Sequence, residues 1–217
     1  MLHLLRPVPS SSQLSVTPSV ISTITTAAQE KMMSGRPCKD NNYWGFCKGA
    51  WATREDESKG LVLISRPEGM FKSSQAWQCR HCLFEGLSCS VPHPTKKNKK
   101  EAILDDQIRT STMGIRYRWS FLAKSHVKKT SYSVGGRNGA GEETECNFGC
   151  VICSVEGNVT GIYGSAEALM DHIANEHVYA GNMNHMTMMR SKVIVGRTAG
   201  EGEEWDVNIP SQESLIF

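Results

Sequence analysis

Two cysteines and two histidines in the second half of the chain have the spacing of a metal site. Cys150 and Cys153 are separated by two residues, which lets a tight turn direct both sulfurs at one ion. His172 and His177 follow, with four residues between them, a gap that zinc sites tolerate. Two thiolates and two imidazoles form the tetrahedral donor set that suits zinc. The sequence therefore predicts a zinc site, and the alternative is an ordinary helix with unliganded histidines and buried thiols.

The residues around these four donors resemble the Cys2His2 zinc-finger family. The supporting core positions of the family pattern are occupied by Phe148, Tyr163 and Leu169. The interval from Cys153 to Tyr163 is longer than is usual in the family, and we expect an extended β-hairpin to accommodate the extra residues. The resemblance implies a ββα finger at 148–177, in which zinc supplies folding free energy.

A less complete copy of the same pattern precedes the first. Trp77, Cys79 and Cys82 repeat the order of an aromatic residue and two cysteines, and His126 at the end of a predicted helix would supply a third ligand. The resemblance implies a degenerate finger at 77–126, and the alternative is a reduced cysteine pair in a small core. The candidates for the fourth ligand are Cys89, His81, His93, Cys38 and Cys47. We favour a core position for Cys47, and we expect Cys146 to be a bystander.

The same donors argue against catalysis. A hydrolytic zinc keeps an open coordination position and a general base nearby. The segment His172–His177 lacks the spacing of zinc-protease helices, and the cysteine pair fills the remaining positions. The sequence also lacks a nucleophile elbow and a phosphate-binding loop. We therefore expect a binding protein and no enzyme activity.

The charge of the chain is unevenly distributed, which bears on its partners. Between Lys96 and Lys129 there are ten Lys and Arg residues against three acids, a local balance of +7. The segment 96–129 could contact the phosphates of DNA or RNA, and KKNKK at 96–100 could act as a nuclear-import signal. The cations expected on the helix of this segment are Arg116, Arg118, Lys124, Lys128 and Lys129. The alternative is a solvated loop and an ordinary basic helix face.

The finger at 148–177 has the opposite charge. Its helix carries Glu167, Asp171 and Glu176, which disfavours docking against phosphates. Two classes of function stay open. The first is a nuclear regulatory protein that contacts nucleic acid through 96–129, and the second is a zinc-stabilised protein-interaction module in which the acidic finger binds another protein.

The elements that must position these residues indicate an α+β fold built from small zinc-stabilised ββα modules. LVLIS at 61–65 predicts a buried strand, and the residues leading into Cys79 predict a second strand. Residues 116–129 have the pattern of a helix. The expected organisation is a disordered Ser/Thr-rich arm at 1–37, a degenerate zinc module at 38–132, a Gly-rich linker at 133–145, a Cys2His2-like finger at 146–195 and a loosely ordered acidic tail at 196–217.

The N-terminal residues bear on the cellular compartment. Only a short apolar patch precedes Arg6 and Pro7, so we expect no secretory signal. No window approaches the roughly 18 apolar residues of a membrane span, and we expect no membrane partner. The prediction is a nuclear protein, otherwise cytoplasmic, and not secreted. Its eight cysteines would then stay reduced and bind metal, with disulfide pairing as the alternative.

Overall fold

The structure, a computed structural model, describes residues 36–68, 72–92, 100–105, 107–129, 146–181 and 183–211. The predicted linker at 133–145 and all but the last two residues of the predicted arm lie outside these ranges. The described residues form helices and small sheets, so the fold is α+β.

The first part of the fold is a pair of short helices followed by an antiparallel sheet. Its elements are α1 (Lys48–Glu55), α2 (Glu57–Gly60), β1 (Leu61–Glu68), β2 (Lys72–Cys79), β3 (Glu85–Pro92) and β4 (Lys100–Leu104), with the strands in the order β1-β2-β3-β4. The strand predicted at 61–65 is β1, and the strand predicted to lead into Cys79 is β2. Because β1 lies at the sheet edge, only Leu61 is buried and residues 62–64 are half-buried, which corrects the expectation of a buried strand.

The helix expected over 116–129 is shorter than the sequence pattern indicates. The observed helix is α3 (Trp119–Ser125), and Arg116–Tyr117 form a strand, β6. Strand β6 pairs with β5 (Arg109–Thr110) and with a strand near the C-terminus, so these two residues are extended by long-range pairing. The apolar face of the pattern is nevertheless buried, because Trp119, Leu122 and His126 all lie inside the molecule.

The second half begins with the segment that resembles a finger. Its elements are β7 (Phe148–Gly149), α4 (Val151–Val155), β8 (Ile162–Tyr163), α5 (Ala166–His172), a π-helix (Ile173–Tyr179) that continues α5, and α6 (His185–Ser191). Strands β7 and β8 pair over two residues each. The extended hairpin that we expected does not form: a short helix, α4, starts directly after Cys150, and residues 156–161 of the extra interval form a turn and irregular backbone.

Residues 196–211 are part of the fold, which corrects the expectation of a loosely ordered tail over this range; the rest of the predicted tail lies outside the described residues. Strand β10 (Val207–Ile209) lies between β6 and β9 (Val193–Val195) in a sheet of order β5-β6-β10-β9. Trp205 and Val207 are buried, and the Asp206 carboxylate accepts a hydrogen bond from Lys124 at 2.6 Å. Burial of apolar side chains on both sides of an acidic turn therefore outweighs the polar composition of the segment.

One core connects the two halves. Phe84 stacks on Trp119 and on His126, with ring centroids 5.4 and 4.3 Å apart, and meets Phe148 edge-on at 6.3 Å. The buried apolar cluster extends from Phe46 to Ile209. Within the described residues, no helix is long and apolar enough to cross a membrane.

Candidate metal centres

The structure gathers cysteine and histidine donors into two groups. Within each group the donor atoms all lie within 4.8 Å of one another. We call the first group centre 1, which consists of Cys47, Cys79, Cys82 and His126, and the second group centre 2, which consists of Cys150, Cys153, His172 and His177. All eight cysteines are free thiols.

Centre 1 is assembled from three separate parts of the chain. Cys47 is the N-cap of α1, Cys79 ends β2, and His126 follows α3. The backbone N–H of Cys47 donates to the carbonyl of His126 at 3.1 Å, which holds these two segments together. In the turn after β2, the N–H of His81 donates to the Cys79 sulfur at 3.3 Å, and the N–H of Phe84 donates to the Cys82 sulfur at 3.4 Å. Such N–H donors stabilise thiolates and orient them toward a common point.

The imidazole of His126 is oriented for metal binding. Its Nδ1 lies 2.7 Å from the carbonyl oxygen of Ala123, so Nδ1 carries the proton and donates. Its Nε2 is buried, and the sulfurs of Cys47 and Cys82 lie beside it without forming a hydrogen bond of good geometry. A metal ion bound at Nε2 would satisfy this nitrogen better than the neighbouring sulfurs do.

The position of Cys47 corrects the preference for a plain core role. Its sulfur lies 3.7 Å from the Cys79 sulfur, so Cys47 completes the donor set that the sequence left one short. Cys47 is also buried in the apolar cluster, as we expected. The other candidates lie elsewhere: Cys38 and His81 are exposed, Cys89 is half-buried beside Asp105, His93 lies outside the described residues, and Cys146 is buried with its thiol directed at the Asn147 carbonyl.

Centre 2 brings together the four residues that the sequence pattern singled out. Nε2 of His177 lies 3.4 Å from the Cys150 sulfur and 3.3 Å from the Cys153 sulfur. Nε2 of His172 lies 3.3 Å from the Cys153 sulfur. Both imidazoles therefore present the same nitrogen to the cysteine pair.

The π-helix explains how two histidines five positions apart meet at one point. On a regular α-helix five steps rotate the side chain by roughly 140° away from the first. A π-helix closes hydrogen bonds from residue i to i+5, so residues with this separation lie on nearly the same face. The π-helix begins directly after His172 and contains His177. Neither the α-helix assumed from the sequence nor the family resemblance indicated this local widening.

A carboxylate that the sequence analysis did not single out lies behind His177. Glu156 Oε2 is 3.4 Å from His177 Nδ1, and the Glu156 side chain is only 16% exposed. The Nδ1 atom has no other partner among the described residues. A carboxylate on the distal nitrogen of a metal-binding histidine fixes the tautomer and increases ligand basicity. The signal available in the sequence was an acid three residues after the second cysteine.

The interatomic distances fit zinc and exclude a disulfide between Cys47 and Cys79. Zn–S bonds of about 2.3 Å and Zn–N bonds of about 2.0–2.1 Å in a tetrahedron place two sulfurs about 3.8 Å apart and a sulfur and a nitrogen about 3.5 Å apart. The observed separations are 3.7 Å between Cys47 and Cys79 and 3.3–3.4 Å between the centre 2 sulfurs and imidazoles. A disulfide would require sulfurs at about 2.0 Å.

The pKa values of cysteine and histidine side chains in both groups depart from their ordinary values. In centre 2, the Cys150 thiol donates to Cys153 and, together with the two histidines, lowers the pKa of Cys153 to about 3 against the opposing effect of burial. In centre 1, burial disfavours a charged His126, but the adjacent sulfurs of Cys47 and Cys82 outweigh it and raise the pKa of His126 to about 9. Hydrogen bonds from Cys47 and Cys79 lower the pKa of Cys82. Each group thus stabilises a thiolate, the form that binds metal.

Centre 2 borders a polar cavity. The cavity has a volume of about 550 Å³, and its walls include Cys153, His172, Glu156, Tyr163 and Glu176. The Tyr163 ring stacks on His172 with centroids 4.7 Å apart. This stacking fixes the ring plane of the more accessible histidine.

Several cations that the sequence assigned to a phosphate-binding face have partners inside the molecule. Lys124 is buried in the ion pair with Asp206. Arg116 donates to Asn208 at 3.0 Å, and the guanidinium of Arg118 lies 4.4 Å from the Trp205 ring. The structure leaves Lys128 exposed and Lys129 half-buried.

The comparisons with known proteins identify a family but no function. A family model described as "Domain of unknown function (DUF8760)" matches residues 46–189, about two thirds of the chain, so the chain belongs to this family. The match includes all eight donors of centres 1 and 2. No curated protein and no solved structure matches the chain.

Proposed function

We propose that this member of the DUF8760 family binds one zinc ion in centre 1 and one in centre 2, and that both ions are structural. The observation that supports the proposal is the convergence of four inward-facing donors in each group. A Cys3His set and a Cys2His2 set are both typical of structural zinc. With four protein ligands, neither ion retains an open position for a substrate, and the proposed role is binding and not catalysis.

The need for zinc follows from the way each centre is built. Centre 1 joins the starts and ends of elements of only seven or eight residues, and its histidine is fully buried. Without a metal ion, the buried thiols and the imidazole of this group satisfy one another poorly, which opposes folding. A bound ion converts these groups into favourable contacts, so its binding free energy becomes folding free energy.

The resemblance to Cys2His2 fingers belongs to this proposal for centre 2. The order β7, β8, α5 gives two strands followed by a helix, with a cysteine pair and a histidine pair at the expected ends. The proposed module is a finger in which α4 is inserted between the strands and the π-helix replaces the last α-helical turn.

We propose a protein as the binding partner of the centre 2 half. Tyr179, Met186 and Met189 are each more than half exposed and lie on the π-helix and α6. Exposed methionines and aromatics form adaptable apolar contacts with other proteins. Glu167 of α5 accepts hydrogen bonds from Thr112, which adds a fixed negative charge to the same half.

Nucleic-acid contact is a second candidate function, and one sequence feature favours it. Four lysines occupy five positions at 96–100. If they contact phosphates, affinity for DNA or RNA falls steeply as salt rises, and neutralising all four lysines abolishes most of that dependence. Nuclear localisation rests on the same segment and is a prediction of this candidate.

The test of the zinc proposal is metal content per chain after purification under reducing conditions without added zinc. We expect two zinc ions in the native chain, one in a Cys150→Ser/His172→Ala variant and one in a Cys79→Ser/Cys82→Ser variant. A native chain that contains no zinc contradicts the proposal. One zinc that disappears only in the first variant would restrict the proposal to centre 2.

The partner is tested by binding of the native chain to DNA, RNA and a panel of peptides at two salt concentrations. The matched variants are a quadruple change of Lys96, Lys97, Lys99 and Lys100 to Gln, and Met186→Ser/Met189→Ser. Loss of peptide binding only in the methionine variant supports the protein partner. Loss of nucleic-acid binding only in the lysine variant supports the second candidate.

A further inference from the structure

Arg54 connects the surroundings of the two metal centres. It lies on α1, the helix that begins directly after the centre 1 residue Cys47. Its Nε–H donates to the carbonyl of Lys124 at 3.1 Å, and its Nη1–H donates to Ser154 Oγ at 2.7 Å. Lys124 lies two residues before His126 of centre 1, and Ser154 directly follows Cys153 of centre 2.

Two aromatic rings hold the guanidinium in place. It lies 4.0 Å from the centroid of the Phe46 ring and 4.3 Å from that of the Trp51 ring, and its Nη2 is excluded from solvent. Phe46 in turn contacts Gly149, since a Cβ atom on that glycine would lie 2.7 Å from the Phe46 ring. Stacking and two fixed donors give Arg54 a single orientation that a lysine cannot reproduce.

Backbone hydrogen bonds join the same two regions. The N–H of Val127, directly after His126, donates to the carbonyl of Asn147 at 2.7 Å. His126 and Phe148 also form an isolated antiparallel bridge. The segment that carries Cys150 is therefore anchored on the segment that carries His126, and Arg54 adds a side-chain link through Ser154.

We propose that Arg54 is a positioning residue that couples the two centres, so that zinc binding at one centre increases the affinity of the other. This inference rests on the proposed structural role of zinc. An ion that orders one centre orders α1 and Arg54, and through Ser154 it orders part of the other centre. The second ion then costs less ordering entropy, and the coupling is reciprocal.

The experiment is a zinc titration of the full chain against a competing chelator, with four proteins compared. They are the native chain, a Cys47→Ser/Cys79→Ser variant that removes centre 1, Arg54→Leu, and the combination of the three substitutions. In the native background we expect loss of centre 1 to lower the zinc affinity of centre 2 by about tenfold, within the usual range of coupling. In the Arg54→Leu background the same loss should lower it by less than about threefold.

Two further variants separate coupling from structural damage. Arg54→Lys should behave like Arg54→Leu, and Arg197→Leu, at an exposed arginine paired with Glu203, should behave like the native chain. If Arg54 had a purely structural role, Arg54→Leu would lower the zinc affinity of centre 2. The fold loss of that affinity on removal of centre 1 would then be the same in the native and Arg54→Leu chains. If removal of centre 1 lowers the zinc affinity of centre 2 by the same factor in Arg54→Leu as in the native chain, the inference is overturned.

Native mass spectrometry at half saturation provides a measurement that does not need the variant without centre 1. Coupling predicts that Arg54→Leu has a larger fraction of chains with one zinc than the native protein. An equal or smaller fraction overturns the inference. A native chain that never binds zinc is a different result, because it contradicts the proposed function itself.

Discussion

At the scale of single residues, His126 of centre 1 and His177 of centre 2 differ in the group that contacts Nδ1 of the imidazole. His126 is held by a backbone carbonyl at Nδ1, whereas His177 is held by the Glu156 carboxylate. A carboxylate increases the basicity of the coordinating nitrogen more than a neutral carbonyl does. Glu156 is therefore expected to contribute to zinc affinity at centre 2, although it is not a ligand.

Replacing Glu156 with Gln tests this contribution, because Gln keeps the shape of the side chain and removes its charge. We expect the zinc affinity of centre 2 to fall by about 10- to 100-fold, the usual cost of losing such a partner. Chelator competition measures the change, and Glu201→Gln in an exposed turn is the matched control. Unchanged affinity in Glu156→Gln would show that the carboxylate does not act on His177.

At the scale of elements, centre 1 depends on how closely α1 packs against the end of β2. Gly49 in the first turn of α1 is buried, and a Cβ atom at this position would lie 2.2 Å from the Cys79 sulfur. The position of a Cβ atom is fixed by the backbone and cannot change by side-chain rotation. Any side chain at this position must therefore displace the Cys79 sulfur or the helix. The close approach is the reason for glycine here.

Gly49→Ala is expected to disturb centre 1 specifically. Overpacking should destabilise the folded chain by about 1–3 kcal/mol. Displacement of the Cys79 sulfur should reduce zinc content toward one ion per chain. Gly164→Ala is the control, because the atom nearest to its Cβ would be 4.0 Å away. Urea unfolding measures the stability of the two variants, and metal analysis measures their zinc content. Equal stability and equal zinc content in Gly49→Ala and Gly164→Ala would contradict the proposed close packing at Gly49.

At the scale of the whole molecule, the C-terminal residues join the two halves. The ion pair of Lys124 and Asp206 links α3 to the turn before β10, and both side chains are less than a tenth exposed. Ser120 donates to the same carboxylate at 2.7 Å. A buried charge without its partner is strongly destabilising, so this pair ties the tail to the centre 1 half.

Asp206→Asn should destabilise the zinc-loaded protein by about 3–5 kcal/mol, because Lys124 remains buried without a counter-ion. Lys124→Met/Asp206→Leu should recover much of this loss, since an apolar pair of similar volume avoids the desolvation cost. The free energy of unfolding in urea distinguishes the two. A double variant that is less stable than Asp206→Asn would show that the ion pair is itself favourable.

Much of centre 2 was visible in the amino-acid sequence. Local spacing decides which donors a short turn or a helix can direct at one point, and such spacing is written in consecutive residues. The cysteine pair and the histidine pair are of this kind, and the structure brings all four together. Their role as zinc ligands stays a prediction. The α+β class and the strands β1 and β2 also followed from local patterns.

Other features depended on the tertiary structure. Cys47 joins Cys79 across 32 positions because α1 packs on the end of β2, and no local spacing indicates that contact. The burial of Trp205 and Val207 against a distant half likewise arises from long-range packing. The π-helix at Ile173–Tyr179 was not indicated by the local sequence either. Such long-range contacts stabilise the fold only when segments remote in sequence meet. A local sequence pattern therefore cannot indicate them.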